Sequence, residues 1–181
     1  MFVLTISAAI LAENLLVKQV GEELRVSAPN FHFFHGRSIE RTRNGNSVAF
    51  DFQLQALAAS KTEVLERSFE RFVISYDLWE QTYSVSRMRG KRSQSAHLTA
   101  NQVEAWCIES MALPTLQLPK GEPLFMRLEV HSVEGRASDP VFDDGGLSLS
   151  GLIEVFSRAS RAAKPTDYWK LESGPVRIGE T

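Results

Sequence analysis

The chain has 181 residues, which is the length of one ordinary domain. Hydrophobic residues make up 43% of it and charged residues 23%, values typical of a protein that folds around its own core. With 20 basic and 22 acidic side chains, the formal net charge of −2 excludes a strongly basic nucleic-acid scaffold and an acidic disordered tail. The single cysteine, Cys107, excludes an internal disulfide framework and a zinc site made of cysteines alone.

The N-terminus predicts export. Residues 2–12 read FVLTISAAILA, a run without charge that has the length of the apolar region of a signal peptide. The small residues Ala8, Ala9 and Ala12 precede a point where a peptidase could cut. We therefore expect residues 1–12 to be a signal peptide or membrane anchor, and residues 13–181 to be a single periplasmic or membrane-anchored domain. The alternative is a buried first strand or helix in a cytoplasmic protein.

Alternating apolar and polar residues predict several β-strands. Residues 14–20 and 23–28 suggest two short strands around the Gly21-Glu22 turn. Alternation is clearest over residues 47–56, where we expect one face to be buried and the other, which carries Asp51, to be wet. The inward side chains predicted for this strand and for the next are Val48, Phe50, Phe52, Leu54, Phe72, Ile74, Tyr76 and Leu78. Further strands are expected over residues 124–133 and 168–171.

Turn and helix signals complete the predicted fold. Asn44-Gly45 is typical of a tight hairpin turn, and residues 57–70 fit either a helix or a strand. Thr99 and Gln102 form a capping-box pattern before an amphipathic helix over residues 100–112, and a second helix is expected over about 150–163. Since the strands are not arranged in β-α-β units, we predict a mainly β, α+β fold of antiparallel, sandwich-like sheets with two helices.

No motif assigns a catalytic activity. His32 and His35 have H-x-x-H spacing but lack a third metal ligand, and Cys107 lies on the apolar stripe of the first helix, as a core thiol would. The acidic loop that holds Asp139, Asp143 and Asp144 lacks the ligand order of a calcium loop. No phosphate-binding loop, dinucleotide fingerprint or nucleophile elbow is present. We therefore predict no catalytic residue, no cofactor and no metal.

Basic side chains are concentrated in two predicted connections. If these connections meet at one end of a sheet, they form a basic rim that could contact an anionic membrane surface or an acidic partner. Scattered, solvated loop charge is the other interpretation. The residues of this candidate rim are Arg37, Arg41, Arg43, Arg87, Arg89, Lys91 and Arg92. We expect no nucleic-acid binding, because the total charge is nearly neutral and no RNA- or DNA-binding motif occurs.

Two stretches carry a resemblance to a known family. The run from Ile74 to Val85 (ISYDLWEQTYSV) and the run Trp169-Lys170-Leu171 near the C-terminus resemble motifs of a family of short, uncharacterised, exported bacterial proteins, a domain of unknown function. The resemblance implies export and implies no known activity.

These observations leave three classes of function open. The first is a non-enzymatic envelope module that binds a partner protein or the membrane surface, in an oligomeric state that the sequence does not set. The second is a carrier that holds a small apolar ligand between its sheets. The third is an enzyme of unrecognised type, for which Glu104, Glu109, His131 and Asp143 are candidates only if they converge in one cleft.

Overall fold

Two antiparallel sheets and two helices make up the described part of the chain. A computed structural model describes residues 15–88, 93–133 and 167–179, so the predicted segment 1–12 and the predicted helix 150–163 lie outside the described residues. In chain order the elements are β1 (Leu16–Val20), β2 (Glu23–Ser27), α1 (Arg37–Arg43), β3 (Val48–Leu57), β4 (Val64–Asp77), β5 (Thr82–Arg87), β6 (Ser93–Leu98), α2 (Ala100–Glu109), β7 (Ala112–Pro114), β8 (Phe125–Val133) and β9 (Tyr168–Glu172).

The strand order confirms the predicted fold class. One sheet has three strands in the order β1-β2-β7, and the other has six in the order β6-β5-β4-β3-β8-β9. Within each sheet, all neighbouring strands are antiparallel. The fold is therefore mainly β, with sandwich-like sheets. No helix in the described ranges is long and apolar enough to cross a membrane.

The core lies on one face of the six-stranded sheet, where the three-stranded sheet and α2 also contribute. Phe50 of β3 pairs with Phe72 of β4, and both are fully buried, as the alternation predicts. The aromatic segment before α1 fills the space above them: the ring of Phe33 lies 4.9 Å from Phe50 and 5.2 Å from Phe52, measured between centroids. Both contacts are edge-to-face, the arrangement that aromatic quadrupoles prefer.

The face of β3 that was expected to be exposed to solvent is buried in the structure. All ten residues of β3 are buried, including Asp51, Gln53 and Gln55. The charge of Asp51 is tolerated because Arg71, its cross-strand neighbour on β4, donates two hydrogen bonds to the carboxylate, from Nε at 2.5 Å and from Nη2 at 2.6 Å. Alternation separates polar from apolar faces, and it does not distinguish a polar face in water from one whose charges are paired inside the protein.

Several local predictions also differ from the structure. Asn44 caps α1 and Gly45, at a φ of 82°, follows it, so the Asn-Gly pair ends a helix and does not close a hairpin. The ambiguous stretch 57–70 contains the last residue of β3, a turn and the first half of β4, a strand of 14 residues. Leu78 lies beyond the end of β4 and is 61% exposed, so it does not face the core as expected.

The N-terminal end of α2 lies where the sequence predicts it. The Oγ of Thr99 accepts a hydrogen bond from the Gln102 N–H, and the Gln102 side chain accepts one from the Thr99 N–H, which completes the predicted capping box. The helix ends at Glu109, three residues before the predicted end, and Ala112 already belongs to β7. The capped end fixes where α2 begins and therefore which residues it turns toward the sheets.

The buried Asp51–Arg71 pair yields a stability prediction. In Asp51→Asn the shape of the side chain is kept while the buried Arg71 guanidinium loses its counter-charge, so we expect the free energy of unfolding to fall by about 3–5 kcal/mol. The matched control is Glu23→Gln, which removes the partner of Arg25 from a pair whose side chains are 54% and 48% exposed. Exposed pairs contribute about 1 kcal/mol or less. Urea unfolding of both variants makes the comparison, and equal effects would contradict the structural role of the buried pair.

Candidate functional site

A cleft of about 240 Å³ lies between α2 and the chain that follows β2. The residues that line it from α2 follow the spacing i, i+3, i+4, i+7 and i+8, so they share one face of the helix. Half of its lining residues are polar, and the other half are small or apolar. The lining residues are Ser27, Ala28, Pro29, Phe31, His32, Asn101, Glu104, Ala105, Ile108 and Glu109.

A buried carboxylate forms the polar centre of this cleft. The Glu104 side chain is only 6% exposed, and both of its oxygens are engaged. Oε1 accepts a hydrogen bond from the backbone N–H of Phe34 at 2.7 Å, and Oε2 lies 2.7 Å from Nδ1 of His32. The carboxylate therefore ties α2 to the aromatic segment that fills the core. His32 itself stays open to solvent, with its side chain 58% exposed.

The sequence indicates that Glu104 needs a partner, but it does not identify that partner. Glu104 lies beside Val103 and three residues before Cys107, next to the stripe of α2 that was expected to be buried, and a charge that becomes buried there requires a partner. The partner, His32, is 72 residues away along the chain. No local spacing links two residues so far apart, so sequence reasoning missed the pair.

The four candidate acid–base residues converge only in part. Glu104 and Glu109 line the same cleft, but His131 lies on the other face of the six-stranded sheet, opposite Asp51 in the register of β3 and β8. Burial lowers the pKa of His131, an effect that the nearby Asp51 charge partly opposes. Asp143 lies outside the described residues. A joint role of all four in one cleft is therefore wrong.

The other residues considered for chemistry occupy separate environments. His35 packs edge-on against Trp169 at 6.2 Å between ring centroids, away from the Glu104 contact of His32. In the described ranges no group of three His, Cys, Asp or Glu side chains could hold a metal ion. Cys107 is fully buried, as predicted, and burial raises the pKa of its thiol well above the usual value, with the Glu104 charge raising it further. A thiol in this state is not a nucleophile.

The basic residues of the candidate rim are divided between two places. Arg37, Arg41 and Arg43 all lie on α1, a helix that the sequence did not predict. Arg37 and Arg41 line a second, open cleft of about 200 Å³ together with Ser132 and Asp167. Their surroundings thus include both a hydroxyl and a carboxylate.

Arg87 lies elsewhere, on β5. It donates a hydrogen bond to buried Glu70 at 2.5 Å, and the register places it beside Phe72. In the register of the sheet Arg87 is level with Phe50, two residues after the start of β3, but β4 lies between β5 and β3. Arg89, Lys91 and Arg92 lie outside the described residues.

A second candidate surface is the turn between β4 and β5, residues 78–81, here called the Trp79 apex. Trp79 is 96% exposed and Leu78 is 61% exposed. The turn is held by Asp77, whose Oδ1 accepts hydrogen bonds from the N–H groups of Trp79 at 2.8 Å and Glu80 at 3.0 Å. These two bonds lower the pKa of Asp77, which keeps its carboxylate ionised. The exposed indole of Trp79 therefore lies on a turn that these local hydrogen bonds stabilise.

The charges around the Trp79 apex have both signs. Oε2 of Glu80 lies 2.9 Å from Nδ1 of His97 on β6, and Asp77 is exposed. The loop that joins α1 to β3 emerges at the same end of the sheet, because Val48 pairs with Ile74 shortly before β4 ends. The arginines of α1 therefore belong to the same end of the molecule as the apex.

Comparison of the chain with protein-family models, with curated proteins and with solved structures finds no match. The resemblance of residues 74–85 and 169–171 to a family of exported proteins therefore stays a prediction.

Proposed function

We propose that the chain is a non-enzymatic module that binds a partner protein, with the Trp79 apex at the centre of the contact. The observation that carries this proposal is the 96% exposure of Trp79, next to the exposed Leu78. Single exposed apolar residues are common, but a tryptophan is the side chain most enriched at the energetic centres of protein interfaces.

Burial of Trp79 in an interface would contribute substantially to the free energy of binding. A tryptophan that becomes buried removes roughly 150–250 Å² from water, which corresponds to about 4–6 kcal/mol at about 25 cal/mol per Å². Association and side-chain ordering oppose this gain. The hydrogen bonds that Asp77 Oδ1 accepts from the Trp79 and Glu80 N–H groups already hold the turn, so little backbone conformational entropy would be lost on binding. A preorganised aromatic anchor of this kind suits recognition.

Charge favours a protein over an anionic membrane as the partner. Asp77 and Glu80 lie on either side of the two apolar residues of the apex, and a negatively charged lipid surface would repel them. A protein interface has a mixed polar rim around an apolar centre, which matches acidic residues at the apex and arginines on the neighbouring α1. An anionic membrane surface remains the second form of the proposal, supported by the same arginines.

The core gives less support to a carrier of an apolar ligand between the sheets. Phe33, Phe50 and Phe52 are packed ring against ring in the space that such a ligand would need. The two clefts described above, of about 240 and 200 Å³, open at the surface and lie below the ~300–1,000 Å³ of common ligand pockets. Each would hold a small molecule at most.

The Trp79 apex makes a specific prediction for cross-linking in the native host. A photo-reactive amino acid placed at Leu78 should give one discrete adduct, identified by mass spectrometry, because its side chain lies at the centre of the proposed contact. The matched control is the same amino acid at Thr62, an exposed position in the turn at the opposite end of β4. Adding Trp79→Ala should reduce the Leu78 adduct several-fold.

Three results would change the interpretation. An equal yield from Leu78 and Thr62 would remove the apex as a binding surface, as would an adduct that is unaffected by Trp79→Ala. Sedimentation of the purified protein with vesicles of phosphatidylcholine and phosphatidylglycerol tests the membrane form. If binding to them depended on Trp79 and weakened with added salt, the membrane would replace the protein as the partner.

The proposal places this module in the bacterial envelope, on the basis of the uncharged run at residues 2–12. Mass spectrometry of the protein isolated from its host measures the N-terminus directly. We expect a chain that begins near Glu13, or an intact chain recovered with membranes. A soluble cytosolic protein with Met1 or Phe2 at its N-terminus would contradict this location.

A further inference from the structure

The cleft beside α2 contains a hydrogen-bond acceptor in a fixed orientation, the Nε2 atom of His32. An ionised carboxylate only accepts hydrogen bonds, so in the 2.7 Å contact with Glu104 the proton belongs to Nδ1 of His32. In the neutral ring the other nitrogen, Nε2, then carries a lone pair. The second oxygen of Glu104 is held by the Phe34 N–H, which fixes the carboxylate and, through it, the orientation of the imidazole.

This acceptor has no partner within the described part of the protein. The only hydrogen bond of the His32 ring there is the one at Nδ1. The ring lines the cleft and is more than half exposed, so a ligand could reach Nε2. An orienting carboxylate behind an imidazole is the arrangement that proteins use to present the far nitrogen to another molecule.

The residues that line the cleft restrict the size, polarity and charge of a ligand. Pro29 and Ala105 contribute exposed apolar surface. The nearly buried Phe31 and Ile108 lie behind them, and a cleft of about 240 Å³ limits the occupant to a small molecule. Glu104 and Glu109 disfavour an anion, because no Lys or Arg side chain is among the residues that line the cleft.

We propose that this cleft binds a small neutral molecule that carries a hydroxyl group on a compact apolar body. The hydroxyl donates to Nε2 of His32, and the apolar body packs against Pro29 and Ala105. Phenol is the simplest probe of this class. The site is separate from the Trp79 apex, and the inference does not depend on the proposed partner protein.

The test compares phenol with anisole, which has the same ring but no hydroxyl donor. Each is titrated into the ¹⁵N-labelled full-length protein at a pH where imidazole is neutral. We expect saturable shifts with phenol in the amides of Phe31, His32 and Ala105, with a Kd on the order of millimolar for so few atoms. Anisole should bind about fivefold to tenfold more weakly, because one hydrogen bond is lost.

Two variants identify the acceptor. His32→Phe keeps an aromatic ring but has no acceptor, so its affinity for phenol should fall to the level of anisole. His35→Phe is the matched control, since His35 lies three residues further on and contacts Trp169 instead of a carboxylate. Its phenol affinity should be unchanged, and so should that of Trp79→Ala. The amide spectrum of each variant verifies that it is folded.

Any of three outcomes would overturn the inference. An absence of saturable shifts at the cleft would mean that it binds no ligand of this class. Equal affinities for phenol and anisole, or an unchanged affinity in a folded His32→Phe, would mean that Nε2 of His32 is not the acceptor.

Discussion

The carboxylate of Glu104 is a constraint on which much of the molecule depends. It lies almost wholly inside the protein, where an uncompensated charge would be costly, and it is stabilised by one backbone N–H and one imidazole nitrogen. Those two donors belong to the aromatic segment at residues 31–34, whereas Glu104 belongs to α2. The interaction thus fixes the helix against the segment whose phenylalanines fill the core, and the same geometry shapes the cleft.

A buried pair of opposite charges organises the other side of the six-stranded sheet. Asp51 and Arg71 are adjacent on the two central strands, and the bidentate geometry between a carboxylate and a guanidinium is directional. A one-residue slip of β4 relative to β3 would move Arg71 to the opposite face, among the phenylalanines, and leave Asp51 without its partner. The pair therefore supports the register that the apolar alternation also favours. In both pairs, polar groups inside the protein specify geometry that apolar packing alone leaves less defined.

These pairs also explain how far the sequence could predict the structure. Alternation identified β3, β8 and their apolar faces, and the capping box identified the start of α2, because each signal is local. The partners of Asp51 and Glu104 lie 20 and 72 residues away, so no local pattern connects them. α1 was missed because its seven residues are too few to show helical periodicity, and Leu78 was assigned to the core because the alternation of β4 continues one residue beyond the strand.

The candidate surfaces differ in how they depend on this framework. The Trp79 apex is supported by its own turn, whereas the cleft exists only if Glu104 holds His32 in place. The tautomer of His32, measured by long-range ¹H–¹⁵N correlation at alkaline pH, tests that arrangement most directly. Free neutral histidine favours a proton on Nε2. The Glu104 interaction predicts that His32 instead carries its proton on Nδ1, and a His32 ring protonated on Nε2 would contradict it.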